Sequence, residues 1–218
     1  MSDLSSAPVL PRLPRLNEPA PDFRAKSTHG DIALADFRGK WVVLFSHPAD
    51  FTPVCTTEFV GFSQLHSEFD AEDAQLIAVS VDSLFSHIAW IRNIESHFGV
   101  KVNFPVVADV DMRVSSAYGM VHPGASDTSP VRCLFIIDPD GFMRAMIYYP
   151  ITTGRNMHEV LRLLRALRMT TEHGVACPAN WMPGDEVIVP TPQTLDEAEA
   201  RMSEGLRTVD WYFSHKSV

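Results

Sequence analysis

Cysteine is scarce in this chain. Three cysteines in 218 residues, at positions 55, 133 and 177, form no pairwise spacing pattern. That excludes a disulfide scaffold and points to a reducing compartment, where thiols are kept for chemistry or left inert. Positive charge is also short. Lys and Arg number 18 against 27 Asp and Glu, a net charge of −9. Nucleic acid and anionic membrane surfaces both call for a basic surplus, so neither is an expected partner. No apolar run approaches the length of a transmembrane helix. Prolines at 8, 11 and 14 interrupt the N-terminal stretch before a signal-peptide core can form. Low-complexity tracts are missing too. What remains is an ordinary globular composition, 45% hydrophobic, on a chain long enough to bury a substantial core. The expectation is a cytoplasmic protein.

Hydrophobic periodicity divides the chain. Residues 1–16 read as a mobile lead-in. Strands at Pro21–Arg24 and Ile32–Leu34 flank a turn at His29-Gly30-Asp31. Apolar strands follow at Trp41–Ser46, Gln75–Val81 and Phe104–Ala108. Between them lie helices at Thr56–Phe69, with Phe59, Phe62, Leu65 and Phe69 on one face, and at Leu84–Phe98, with Ile88, Ile91 and Phe98 as its apolar positions. A short helix spans Met112–Tyr118. Val131–Ile137 and Phe142–Tyr149 form a hairpin about Asp138-Pro139-Asp140-Gly141. The strongest helix is Asn156–Glu172. After Gly174 the composition turns proline-rich, with one short strand (Glu186–Val189) and one short helix (Thr194–Met202). This order predicts an α/β sheet carrying antiparallel strands. The domain boundaries read as 17–173 for the main body and 174–218 for a C-terminal arm that packs on its own body or on a second subunit.

Cys55 carries the chemistry. It lies in Ser46-His47-Pro48-Ala49-Asp50-Phe51-Thr52-Pro53-Val54-Cys55-Thr56-Thr57-Glu58, where a strand gives way to the first turn of a helix. Unsatisfied N–H groups and the helix dipole there favour the thiolate, the reactive form of cysteine. Thr52-Pro53-Val54-Cys55 has the outline of a C-x-x-C redox motif with threonine in place of the first cysteine. A disulfide partner has become a hydroxyl donor, which disfavours thiol–disulfide exchange and suits one sulfur acting on an oxygen-containing small molecule. Pro48 and Pro53 stiffen the loop. A metal site from His47 and Cys55 lacks further ligands at metal-like spacing, and no cofactor is expected. The histidines at 29, 66, 87, 97, 122, 158, 173 and 215 read as surface or packing residues.

The run His47–Glu58, with Pro48-x-x-x-Thr52-x-x-Cys55 inside it, resembles the active-site signature of the one-cysteine branch of the peroxiredoxins. Ala20-Pro21-Asp22-Phe23, Val79-Ser80-Val81-Asp82-Ser83, Phe104–Asp109, Arg132–Gly141, Thr153-Gly154-Arg155-Asn156 and Cys177-Pro178-Ala179-Asn180-Trp181 resemble further segments of that branch. The resemblance therefore covers nearly the whole chain. It implies a thioredoxin-like fold with a C-terminal extension. It implies a thiol-specific peroxidase that reduces hydrogen peroxide or alkyl hydroperoxides through a sulfenic acid at Cys55.

By the same resemblance, Thr52 donates to the peroxide, Pro48 shields the sulfur, and Arg132 stabilises thiolate and peroxide together. His47 lies close to the sulfur, and Glu58 and Arg155 belong to the supporting network. Cys133, beside Arg132 on a strand, should face the opposite side and pack in the core. Cys177 is the candidate resolving cysteine. An external thiol reductant of the thioredoxin, glutaredoxin or glutathione type is otherwise expected. The resemblance also implies a homodimer, with a ring of dimers as the larger alternative. A redox-regulated chaperone or peroxide sensor is the competing reading. One activity does not carry over: where some animal relatives place a serine nucleophile before the active-site strand, Arg38-Gly39-Lys40-Trp41-Val42 has lysine.

Overall fold

The structure is a computed structural model that describes residues 13–218. Most of the expected lead-in, residues 1–12, lies outside the described residues. The chain divides into two compact units, the first ending at Met157 and the second running His158–Val218.

The first unit is built on a seven-stranded mixed sheet. In chain order its strands are β1 (Arg24–Ser27), β2 (Gly30–Ala33), β3 (Trp41–Ser46), β4 (Ala74–Ser80), β5 (Val106–Ala108), β6 (Arg132–Ile137) and β7 (Met143–Tyr149). They lie in the order β2-β1-β5-β4-β3-β6-β7. β3 pairs parallel to β4, and β4 parallel to β5. β6 runs antiparallel to β3 and to β7. β3 is thus central, and all six of its residues are buried. A strand buried on both faces reads as a continuous apolar run, and Trp-Val-Val-Leu-Phe does so. The first hairpin differs from the expected one. Its strands close on Thr28-His29 instead of His29-Gly30-Asp31, because Arg24–Ser27 pairs residue for residue with Gly30–Ala33.

Among the described residues this unit carries four α-helices: α1 (Pro53–Gln64), α2 (His66–Ala71), α3 (Leu84–Phe98) and α4 (Arg113–Ala117). The single helix expected at 56–69 starts three residues earlier, with Pro53 at its first position, and breaks at Leu65. Proline is well placed there, since its missing N–H has no partner in a first turn. Phe59, Phe62 and Phe69 are fully buried. Phe45 of β3 stacks on Phe62 at 4.2 Å and meets Phe59 edge-on at 5.9 Å, which joins α1 to the central strand.

The expected ends of α3 hold. Ser83 caps its N-terminus by accepting from the Ser86 N–H, and Gly99 closes it in the left-handed region at φ +66°. Its buried face does not match the expected one. Ile88 and Phe98 are 42% and 52% exposed, while His87, Trp90 and Ile94 are buried. The 87–90–94 series has the same helical period, but its first member is polar. The hairpin of β6 and β7 turns through Asp138, whose carboxylate accepts from the Phe142 N–H at 2.8 Å.

The second unit holds α5 (Met157–His173, of which Met157 closes the first unit), α6 (Leu195–Arg201) and a three-stranded sheet. The sheet comprises β8 (Val187–Ile188), β9 (Arg207–Asp210) and β10 (Phe213–Lys216), in the order β8-β10-β9. The sequence predicts β8 and α6 alone; β9 and β10 read poorly because exposed polar residues dominate Arg207–Asp210. The division between these units falls after Met157, the first residue of α5. Within the second unit Ala166 of α5 packs with Val175, Trp181 and Val187, and Arg162 donates to the Trp181 carbonyl at 3.1 Å. Among the described residues no helix is long and apolar enough to cross a membrane.

Candidate active site

Cys55 is the third residue of α1, after the cap residue Thr52, Pro53 and Val54. Its side chain is fully buried. Three elements converge on it. The loop from the end of β3 brings His47 to Thr52, α1 brings Glu58 one turn further on, and β6 brings Arg132 from the neighbouring strand.

Arg132 is held by three acceptors. Nε donates to the Ile151 carbonyl at 3.0 Å; Nη1 donates to Glu58 Oε2 at 2.8 Å and to Cys55 Sγ at 3.2 Å. The register of β6 explains why this arginine faces inward. Strand neighbours alternate, so Arg132 and Cys133 point to opposite faces. Cys133 joins the core cluster with Val42, Leu44 and Phe135. Burial pushes its thiol up to about 12, leaving it inert.

Arg155 completes the cluster. Its backbone N–H and Nε donate to Glu58 Oε1 at 2.9 and 2.8 Å, and Nη2 donates to Oε2 at 2.7 Å. Nη1 donates to the Cys133 carbonyl at 2.7 Å. Gly154 precedes it in close quarters: a Cβ there would stand 3.3 Å from Val54 Cγ1. The guanidinium also lies 5.1 Å from the Phe45 ring centre, within cation–π range. Burial opposes the charge on Glu58, but the charge and hydrogen bonds of Arg155, with the charge of Arg132, outweigh it and hold the carboxyl below its ordinary value.

The charges do not balance among these three. Two arginines, always protonated, face one carboxylate in a buried setting. Among their hydrogen-bond partners, the remaining group able to carry a negative charge is the Cys55 sulfur. A thiolate there neutralises the cluster.

Pro48 is buried and Thr52 half-buried. The Thr52 hydroxyl donates to the Ala49 carbonyl at 2.9 Å, inside its own loop. It has to rotate to donate to a substrate. Phe51, between Asp50 and Thr52, sits at φ +55°, a left-handed conformation that costs a bulky residue about 1–2 kcal/mol.

His47 is buried on the loop side of the site. Its Nε2 lies 2.8 Å from Asp50 Oδ1, and the second Asp50 oxygen lies 2.8 Å from His87 Nδ1. His47 packs on Phe59 and Trp90, with ring centres 5.0 and 5.1 Å away. His87 is among the histidines that the sequence reads as surface or packing residues; it is fully buried and hydrogen-bonded to the active-site loop. The donor atoms of His47, Asp50 and His87 all lie within 4.8 Å of one another, a set that suits a cation by residue type. Each imidazole already bonds the Asp50 carboxylate, and of their ring nitrogens His47 Nδ1 alone is buried without a hydrogen-bond partner. The signal available in the sequence was the pairing of a helix-face histidine with an aspartate inside the motif.

The titrations set a pH limit on stability. Burial pushes His47 below its ordinary value of 6.5, against the pull of Asp50. Burial opposes the charge on Asp50 also, but hydrogen bonds from His47 and His87 win and hold it well below 3.8. All three depressed groups, Glu58 included, bind more protons unfolded than folded. The stability these three groups contribute is therefore full above pH 6.5 and falls as pH drops. The His47 contribution has a limiting slope of about 1.4 kcal/mol per pH unit, and the two carboxyls add to it below about pH 4.5. Urea midpoints of the reduced protein should decline steadily from pH 7 to 4; a flat profile down to pH 5 contradicts the assignment for His47.

Cys177 lies in the second unit. Its sulfur is 3.6 Å from the Ala166 carbonyl, and burial raises its thiol, against the nearby charge of Arg162.

Known proteins resemble this chain over most of its length. Residues 16–146 match the AhpC/TSA family, and residues 166–205 match the C-terminal domain of 1-Cys peroxiredoxin. A peroxiredoxin of Aquifex aeolicus is 53% identical, covering 94% of this chain and 98% of its own. One of Methanosarcina mazei is 47% identical at 94% and 98% coverage. Among solved structures, a yeast mitochondrial 1-Cys peroxiredoxin superposes with a TM-score of 0.83 at 40% identity, covering 94% of this chain and 99% of that one. A cysteine-to-serine mutant of peroxiredoxin 6 of Arenicola marina gives the same TM-score at 35% identity, covering 94% and 98%. With its thioredoxin-like fold and its matched C-terminal domain, the chain belongs to the AhpC/TSA family in the one-cysteine branch of the peroxiredoxins, and is a thiol-dependent peroxidase.

Proposed function

We propose that Cys55 is the sulfur that meets the peroxide. The observation that carries this is the 3.2 Å contact from Arg132 Nη1, in a cluster one negative charge short of balance. The thiolate attacks one peroxide oxygen and the O–O bond breaks. Sulfur is oxidised by two electrons to the sulfenic acid, and the other oxygen leaves with the bonding pair and takes a proton, as water or an alcohol. Arg132 faces both the sulfur and the space where the leaving oxygen gains charge, and preorganised donors of this kind supply most of the acceleration in such reactions. Thr52, once rotated from Ala49, is a second donor, and buried Pro48 limits water. Glu58 and Arg155 hold Arg132 in place, and His47 anchors the loop.

Recovery uses an external thiol. One thiol condenses with the sulfenic acid, releasing water and forming a mixed disulfide; a second thiol releases Cys55 and leaves as the disulfide. The yeast relative was studied for thiol resolution through glutathione and thioredoxin systems, and a reductant of the thioredoxin, glutaredoxin or glutathione type is proposed here. The raised Cys177 thiol is a weaker attacker, which favours the external route over internal resolution. A cytoplasmic, reducing setting fits three free cysteines. A homodimer using the 174–218 arm, with a ring of dimers as the larger form, fits exposed Leu195, Met202 and Trp211 in the second unit.

The test is one equivalent of hydrogen peroxide on reduced protein with a sulfenic-acid trap, read by intact mass and by light scattering of the same sample. One adduct, absent in Cys55→Ser, is expected from a species larger than a monomer. A disulfide to Cys177 overturns the external route, an adduct that survives in Cys55→Ser overturns the assignment of Cys55, and a strict monomer at micromolar protein overturns the dimer.

A further inference from the structure

His87 lies on α3, 32 residues beyond Cys55 in the chain, and no step above uses it. Its hydrogen bonds count its protons. Nε2 lies 3.2 Å from the Val107 carbonyl oxygen, and Nδ1 lies 2.8 Å from Asp50 Oδ2. A carbonyl oxygen only accepts, so Nε2 carries a hydrogen. The Asp50 carboxylate, when ionised, also only accepts, so Nδ1 carries one as well. His87 is then an imidazolium. His47 differs: its Nε2 donates to Asp50 Oδ1, while its Nδ1 is buried and bonded to nothing. A single proton on Nε2 leaves Nδ1 as a bare lone pair.

The chain of charges is +, −, 0 across His87, Asp50 and His47, neutral as a whole and therefore tolerable in a buried setting. Asp50 is also held from behind, its backbone N–H donating to Asp82 Oδ2 at 3.0 Å. The residue after it is Phe51 in its left-handed conformation, and then Thr52 and α1. Strained backbone of this kind persists only where surrounding contacts over-determine it.

We propose that His87 is a positioning residue of the peroxidase site: as an imidazolium bound between Val107 and Asp50, it fixes the Asp50 carboxylate, and through it both the tautomer of His47 and the turn at Phe51 that presents Thr52 and Cys55. The inference rests on the reading of Cys55 given above. It also gives the His47, Asp50 and His87 set a role that requires no cation.

Two measurements test it on the full-length reduced protein. Long-range proton–nitrogen correlation of nitrogen-15-labelled histidine should show one buried imidazolium with both nitrogens protonated, absent in His87→Gln. It should also show His47 protonated at Nε2 alone, and that signature should blur or shift in His87→Gln. Stopped-flow oxidation of Cys55 by hydrogen peroxide should slow by about 10- to 100-fold in His87→Gln, by analogy with the loss of an outer-shell partner that orients a metal-bound imidazole. Glutamine can keep the hydrogen bond to Asp50 but not the charge, so it separates the two. A wild-type rate with an unchanged His47 signature in His87→Gln overturns the proposal, as does a bare nitrogen on His87 in the parent protein. Stoichiometric zinc binding that abolishes the imidazolium pattern overturns it in favour of a metal site. If His87→Gln fails to fold, Asp50→Asn carries the same expectations. Failure of the Cys55 reading shows separately, as a parent protein without a sulfenic adduct at Cys55 whose histidine spectrum is as described.

Discussion

Arg132→Leu should lower the rate constant for peroxide oxidation of Cys55 by about 10³-fold. One preorganised donor removed from a site of developing negative charge costs about 10²–10³, or roughly 2.7–4 kcal/mol. Arg132 is more than one donor. It touches Sγ at 3.2 Å and is aimed there by Glu58 and the Ile151 carbonyl. Its removal also takes a positive charge from a buried cluster. Arg155 and Glu58 then cancel, and a Cys55 thiolate stands unbalanced. The loss therefore falls at the upper end of the range.

Arg132→Lys should recover only part of it. Lysine keeps the charge, but its single nitrogen cannot hold the three acceptors that the guanidinium spans with Nε and Nη1. Stopped-flow fluorescence with hydrogen peroxide, on variants shown by circular dichroism to be folded, is the measurement. A folded Arg132→Leu protein within tenfold of the parent rate would remove Arg132 from the chemistry.

The second large effect is on the fold. Glu58→Gln should cost about 3–5 kcal/mol of stability, the range for breaking a buried ion pair on one side. Glu58 accepts from Arg132 Nη1, from Arg155 Nε and Nη2, and from the Arg155 backbone N–H. Both arginine side chains are at most 2% exposed. Glutamine is nearly isosteric but neutral, and its NH₂ group points a donor at donors. Two guanidinium groups are left buried without a counter-charge.

A typical domain is stable by only about 5–15 kcal/mol, so the variant should be folded but marginal in urea. A double-mutant cycle isolates the pair. Once Glu58 is gone, Arg155→Met should cost much less than it does alone, because the charge it removes is by then a liability. Additive losses, or a Glu58→Gln cost below about 1 kcal/mol, would show that solvent reaches the cluster and screens it.

Much of this was legible in the chain. The strand Trp41–Ser46 reads from its continuous apolar run, and α1 from the spacing of Phe59 and Phe62. Cys55 reads from the change of period between them. That Cys133 faces away from Arg132 follows from strand alternation, while the facing of Arg132 toward the site is what the resemblance implied. Other features were not. The sequence puts the face of α3 at Ile88, Ile91 and Phe98 because apolar residues mark a buried stripe, and His87 does not look like one. The buried stripe runs through His87, Trp90 and Ile94 because Asp50, from a loop 37 residues away, offers His87 a partner. β9 and β10 escape notice because a small sheet with one well-exposed strand lacks the alternation that marks a half-buried one.

The sequence by itself determined the α/β order and the place of Cys55 at a strand-to-helix junction, since each follows from local period or from neighbours within a few positions. Only the tertiary structure decided what the residues around Cys55 are to one another. Glu58 faces two arginines that lie 74 and 97 residues further along the chain, and one of them also reaches the Cys55 sulfur. Asp50 joins histidines from a loop and a helix. These are electrostatic pairings across chain separations that no periodicity spans, and they exist only once the sheet has brought β3, β6 and their connecting segments together.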